Sequence, residues 1–406
     1  MPLRNLFLDF NSYFASVEQQ LRPELRGKPV AVAPVMTDTT CCIAASYEAK
    51  AFGIRTGTSI RDAKKLCPAL KVVEAQHKVY VQFHNELVAA VESCIPVEKV
   101  ISIDEMVCNL LGKQKQKEEA VRLARHIKDT ISKKVGKYLR CSIGIAPNPF
   151  LAKTATDMQK PDGLVVIEEK DLPDILYKLK PSDLCGIGRR MNKRLLYYGI
   201  DSIEKLYALD KKMMKRLWRG IEGERMYDQL RGKIVLRPLT HRSTVGHSHV
   251  LSPKFRNTEG SYAVLNRLLQ KAAMRMRYLG YVTGCMFVKV KYTGGDRWKD
   301  AMRFPHTQST KDLLHYLDEM WAKNTLKHQT PLAVSVSLFK LIEEEKHIPT
   351  LFENYDRSKS LYTAIDSLNR RYGNNSVYFC GSHTALDSAP MRIAFTQIPN
   401  LEIEDN

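Results

Sequence analysis

Through roughly the first 167 residues, short apolar runs alternate with segments of helical period. Residues 3–9 read as an apolar strand, and Phe14, Val17 and Leu21 then recur at helical spacing behind a cap at Asn11 or Ser12. A second strand is expected at 29–35, helical pieces within 41–67 and a strong amphipathic helix at 77–94. A β run at 100–107, a charged helix at 116–134, a strand at 141–145 and a helix capped by Asn148 follow. From 168 to 232 the pattern is helical throughout, and 233–241 reads as an extended linker. The next stretch gives strand 242–250, helix 259–279, strands 284–292 and 297–304, helix 310–323 and strand 332–341. That βαββαβ order is ferredoxin-like. Residues 346–406 read as a tail with a helical piece at 360–372. With 406 residues, too many for one ordinary core, this predicts a multidomain α/β (α+β) protein.

One strand breaks the pattern. Val100-Ile101-Ser102-Ile103-Asp104-Glu105-Met106-Val107 places two adjacent carboxylates in a run that otherwise reads as buried. Unpaired buried charge is costly, and neighbours on a regular strand point to opposite faces. Both acids serve one site only if the chain bends, so a hairpin tip is expected here. Asp9 closes the first strand in a similar setting. A lone acid at a strand end is ordinarily a turn residue; three converging acids would gather three negative charges and call for a divalent cation. Oxygen-only donors with no His or Cys nearby favour Mg²⁺, or Mn²⁺, over zinc.

Charge adds a second theme. The chain carries 63 Lys and Arg against 44 acids, a net +19, and a polyanion is the natural partner for such a field. Residues 233–340 hold 18 of the basic groups and 6 acids, so this quarter supplies +12. Arg237, Arg242, Lys254, Arg256, Lys289, Lys291, Arg297, Lys299 and Arg303 fall on or beside its strands and linker, where phosphate-backbone contact is expected. Tyr47 and Lys50, spaced i, i+3, share a helix face that can grip a polyphosphate. Gly186-Ile187-Gly188 followed by Arg189 and Arg190 reads as a helix-hairpin-helix-like turn whose N–H groups approach a phosphate. Nine scattered cysteines without metal-ligand spacing suit free thiols in a reducing cytoplasm. No apolar run is long enough for a membrane span, and no membrane partner is expected.

Asp9-Phe10-Asn11-Ser12-Tyr13-Phe14, Tyr47-Glu48-Ala49-Lys50, Ser102-Ile103-Asp104-Glu105, Lys160-Pro161-Asp162-Gly163 and Gly186-Ile187-Gly188 resemble, in order and spacing, the motifs of Y-family translesion DNA polymerases over about residues 1–345. The Asp-x-Asn start, Lys50 and the segment around Ala364-Ile365-Asp366-Ser367 look closer to bacterial polymerase V catalytic subunits (UmuC-like) than to polymerase IV. The resemblance implies a palm at 1–20 and 77–167, fingers at 21–76, a thumb at 168–232 and a little finger at 242–345. It implies that Asp9, Asp104 and Glu105, with the Phe10 carbonyl, hold two Mg²⁺ ions. The incoming dNTP would meet Phe10, Asn11, Ser12, Tyr13, Phe14, Tyr47, Lys50 and Lys160, with Phe14 as the steric gate against a ribose 2′-OH. Gly186, Gly188, Arg189, Arg242, Lys289, Lys291, Arg297 and Arg303 would contact primer–template DNA. Leu351 and Phe352 would dock on a sliding clamp, although Ile348 stands where the family's clamp peptide usually begins with Gln. Accessory subunits are further implied partners. Lys50 departs from the more frequent Arg and loses the bidentate fork. The implied reaction is low-fidelity, template-directed addition of dNTPs to a primer 3′-OH. The rival reading is a catalytically weak, DNA-binding polymerase homologue serving as a scaffold.

Overall fold

The computed structural model describes residues 2–38, 40–238, 241–349, 355–388, 390, 393 and 398–401. The chain divides into two compact units, residues 1–237 with 393–398 and residues 238–392 with 399–406.

The first unit starts with β1 (Asn5–Phe10), α1 (Tyr13–Leu21), β2 (Val30–Ala33), β3 (Ala44–Ala45), α2 (Tyr47–Lys50), α3 (Ile60–Leu66) and β4 (Lys71–Glu74). It continues through α4 (His77–Glu92), β5 (Val97–Ser102), β6 (Glu105–Asn109), α5 (Lys117–Lys134), β7 (Cys141–Ala146), α6 (Pro149–Met158) and β8 (Leu164–Val166). Five helices finish it: α7 (Asp174–Tyr177), α8 (Arg189–Tyr197), α9 (Ile203–Tyr207), α10 (Lys211–Trp218) and α11 (Ile221–Leu230). Its main sheet runs β5-β6-β1-β7-β8 and is antiparallel except at β7–β8. Every residue of β1 is buried, because the strand is central and covered on both faces. Strand alternation puts Phe7 and Asp9 on the same face. On that face Phe7 and Val107 join a core shared with α6 and with Leu184, Ile187, Leu195 and Met226 of the helical segment. Asn148 secures the junction: it caps α6 and donates from Nδ2 to the carbonyls of Gln229 and Lys233 at 2.8 and 3.0 Å. Between α1 and α4, β2 pairs with β3 and β4 over a small core of Ala31, Ala33, Ala45, Ile54 and Ile60.

The second unit has the βαββαβ order: β9 (Thr244–Val250), α12 (Thr258–Tyr278), β10 (Tyr281–Tyr292), β11 (Arg297–Thr307), α13 (Thr310–Ala322) and β12 (Pro331–Glu343). Its strands lie in the order β11-β10-β12-β9, every neighbour antiparallel, so each βαβ pair is split by one inserted strand. Met286, Val288, Val290 and Trp298 pack with α12 and α13 on one face.

Past β12 part of the segment read as a tail is built into the second unit. Helix α14 (Tyr355–Tyr372) and the turns after it belong to the second unit and are bonded to α12. Arg277 makes a forked pair with both Asp366 oxygens at 2.7 and 2.8 Å, Phe379 N–H donates to Gln270, and Arg267 donates to the Ser388 carbonyl. The polar composition of this segment hid these contacts, which are made by single residues rather than by an apolar stripe. Asp366→Ala strips the carboxylate from a guanidinium only 9% exposed. The expected loss is about 3–5 kcal/mol, read from urea unfolding of the second unit.

Candidate active site

The hairpin of β5 and β6 closes through a two-residue turn, Ile103-Asp104, with Ser102 paired to Glu105. This is the bend the paired acids require. Across the next ladder Asp9 lies directly opposite Glu105, and Phe10 N–H donates to the Asp104 carbonyl at 2.9 Å. All three acids therefore meet at one end of the sheet.

Two ammonium groups stand among them. Lys153, on α6, bonds to Asp9, to Glu105 at 2.8 Å and to Asp157 at 3.6 Å. Lys160 reaches Asp9 at 2.7 Å and Asp157 at 2.8 Å. Burial works against the charge of both lysines, but the surrounding carboxylates, Asp9 foremost, outweigh it and hold them above the usual lysine range. Four carboxylates against two ammonium groups leave an excess of negative charge. The strain of that excess falls on Asp104: burial raises its pKa, and the Asp9 and Glu105 charges add to the rise against the Ser102 hydroxyl that donates to it at 2.6 Å. Sequence reasoning passed over Lys153 and Asp157. Their i, i+4 spacing places them on one helix face, but without knowing which face covers β1 they read as surface charge.

The donor set suits a hard cation, being all oxygen and short of positive charge. Among the described residues, however, no three His, Cys, Asp or Glu side chains are gathered so as to hold one ion as they stand. The Lys153 ammonium sits between Asp9 and Glu105 and serves as their counter-charge.

On α1, which follows β1 directly, Phe14 is half-buried and stacks on Tyr80 at 4.4 Å, forming an aromatic wall. Lys50 lies over the Tyr47 ring at 4.3 Å, and its ammonium is pushed below the usual lysine range by desolvation and by the charge of Lys160. Lys50, Tyr47 and Lys160 thus neighbour one another, cation beside cation, an arrangement that a polyphosphate relieves.

Several residues expected at a nucleotide face the core instead. Asn11 is 3% exposed; its side chain donates to Ser142 Oγ and accepts from Asp162 N–H at 2.8 Å, tying β1 to the turn after Lys160. The Tyr13 hydroxyl is buried and donates to the Tyr80 carbonyl at 2.6 Å. Ser12 stands at the start of α1 in a left-handed conformation (φ 49°), makes no capping bond, and its buried oxygen has no partner. Phe10 packs its ring into the core, leaving only its backbone for the cleft. Ser12 thus stands at the expected cap position without making the expected capping bond.

Gly186 has φ 87°, a left-handed conformation that favours glycine, and Gly188 precedes α8 with open space around its Cα. Arg189 is exposed beside them. In the second unit Lys289 lies directly across from Lys299, and Lys291 across from Arg297. Arg303 is exposed on the same face of β11, and Arg242 precedes β9. Like charges in direct cross-strand register disfavour the sheet, so this face is built for an anionic cover. Leu351 and Phe352 lie outside the described residues.

An acid-lined sheet end beside a cluster of lysines, with a separate basic sheet, is the equipment of a nucleotidyltransferase that works on nucleic acid. The comparisons narrow that class. Residues 8–157 match the model of the impB/mucB/samB family and residues 242–351 that of its C-terminal domain. DNA polymerase IV of Moorella thermoacetica is 31% identical over 381 residues, covering 92% of this chain and 94% of that protein. DNA polymerase IV 1 of Bacillus subtilis is 28% identical, covering 90% of each. A solved Y-family DNA polymerase chimera of Dbh and Dpo4 aligns with a TM-score of 0.72 at 23% identity, over 84% of this chain and 99% of its own. The insertion ternary complex of Dbh DNA polymerase aligns at 0.56 and 22% identity with the same coverage. The chain belongs to the impB/mucB/samB family, the Y-family DNA polymerases. Both relatives carry the polymerase IV name, so the closeness to polymerase V subunits expected from the motifs gains no support from them.

Proposed function

We propose that this chain is a DNA-directed DNA polymerase of the translesion type, extending a primer 3′-OH with deoxynucleoside triphosphates, and that its role is of the polymerase IV kind. The observation that carries the reading is the meeting of Asp9, Asp104 and Glu105 at one sheet end beside Lys160, Lys50 and Tyr47. When bound, two Mg²⁺ ions held by the three acids and the Phe10 carbonyl would make the 3′-oxygen a better nucleophile and neutralise the leaving pyrophosphate. The protein's own part is to place the reactants. Lys50, Lys160 and the Tyr47 hydroxyl hold the triphosphate, and Phe14, backed by Tyr80, fills the space a 2′-OH needs. Gly186 and Gly188 let backbone N–H groups approach the primer-strand phosphates.

In this reading residues 1–20 and 77–167 form the palm, 21–76 the fingers, 168–232 the thumb and 242–345 the little finger. The Lys289, Lys291, Arg297 and Arg303 face lies along the DNA backbone. Phosphate contacts carry no sequence information. Replacing Lys289 and Lys291 together with Ala is therefore expected to weaken binding equally for unrelated duplexes. The slope of log affinity against log salt should shrink by about 1.8, measured by fluorescence anisotropy.

Primer extension with Mg²⁺ and single dNTPs tests the activity, since a scaffold homologue binds the duplex without extending it. Extension across a defined lesion tests the translesion part, and repeating it with a sliding clamp tests the docking assigned to Leu351 and Phe352.

A further inference from the structure

Asp104 sits in the tight turn between β5 and β6, where a backbone carbonyl points away from the ladder. The Ile103 carbonyl is in that position. Ile103 is buried, and its oxygen is met at 2.8 Å by Nδ1 of His84, itself 3% exposed on α4. A carbonyl only accepts, so Nδ1 carries the proton. Burial disfavours the imidazolium, which keeps the ring a neutral donor. The Asp104 peptide carbonyl is taken by Phe10 N–H at 2.9 Å, and the carboxylate accepts from Ser102 Oγ at 2.6 Å. Ser102 Oγ also accepts from the Asp104 N–H at 3.4 Å, so the turn is held by three elements: α4, β1 and β5. The pins from Phe10 and Ser102 come from the acid-bearing sheet itself, whereas the His84 pin ties the turn to the helix packed behind it.

We propose that His84 is a positioning residue for nucleotidyl transfer: by holding the Ile103 carbonyl it fixes the peptide from which Asp104 projects into the cation-binding cleft. The inference rests on the polymerase reading above. Without the imidazole donor, the buried carbonyl has to find another partner, and rotation of the Ile103–Asp104 peptide is the available route. That rotation swings the Asp104 carboxylate away from Asp9 and Glu105.

The test compares His84→Leu, His84→Asn and His84→Gln by single-nucleotide insertion on a primer–template, with Mn²⁺ binding to the DNA-free protein followed by electron paramagnetic resonance. Leu fills similar space without a donor, Asn places an N–H near the Nδ1 position, and Gln places it one bond too far. Thermal melting establishes that each variant is folded. His84→Leu is expected to lose about 10–100-fold in kcat, and Mn²⁺ affinity is expected to fall in the same range. The KM for dNTP should stay close to that of the unaltered protein, because the triphosphate contacts are elsewhere. His84→Asn should recover most of the loss and His84→Gln little of it. Equal impairment of Leu and Asn, a change confined to KM, or normal kcat and Mn²⁺ binding in His84→Leu would each overturn the proposal. An unaltered protein that fails to extend primers at all would sink the polymerase reading instead, which keeps the two failures apart.

Discussion

Asp104→Ala is expected to lower single-nucleotide insertion by at least about 10²–10³-fold, the range for losing one preorganised polar group that stabilises a transition state. Duplex affinity should be little changed, because the basic face of the second unit is untouched. The same carboxylate is a burden on the fold. Burial and the Asp9 and Glu105 charges raise its folded pKa above the ordinary 3.8. A carboxyl raised on folding stabilises below its unfolded pKa and loses that contribution as pH rises through the folded value. At neutral pH, then, the ionised group works against the metal-free protein. Asp104→Asn should be inactive yet melt no lower than the unaltered protein in EDTA. An inactive variant that also melts well below it would point to collapse of the hairpin rather than loss of a ligand.

Phe14→Ala should change which sugar is accepted more than how fast deoxynucleotides are used. The ring is fixed from beneath by Tyr80, nearly parallel at an interplanar angle of 14°, so a clash with a 2′-OH cannot be relieved by the ring turning away. Removing it should raise ribonucleotide incorporation relative to deoxynucleotide on the order of a hundredfold, measured as the ratio of kcat/KM values. Unchanged discrimination would remove Phe14 from the role, and the buried, bonded Tyr13 offers no ready substitute.

The acids were legible because they violate a rule: Asp104 and Glu105 interrupt an apolar β run, and an anomaly of charge survives any ignorance of the fold. The βαββαβ unit was legible for the opposite reason, since its alternation is regular, with Met286, Val288 and Val290 inside and Lys289 and Lys291 outside. What escaped depended on orientation. Asn11 and Tyr13 sit in the motif as plausibly as Phe14, and only the packed structure shows their side chains bonded inward, to Ser142 and to the Tyr80 carbonyl. Lys153 and His84 look like ordinary helix residues until α6 and α4 are laid against the sheet. The contacts from Arg267 to Ser388 and from Arg277 to Asp366 span 121 and 89 residues, and no local pattern carries such information.

Glu344, just after β12, accepts from the Tyr355 hydroxyl at 3.1 Å and pairs with Lys359 at 2.7 Å, so the beginning of α14 is fastened where the last strand ends. The Gln308 amide, in the turn between β11 and α13, reaches the same carboxylate oxygen at 3.4 Å. One charge is thus the keystone of a small arch: neutralising Glu344 would loosen the turn before α13 and the start of α14 together.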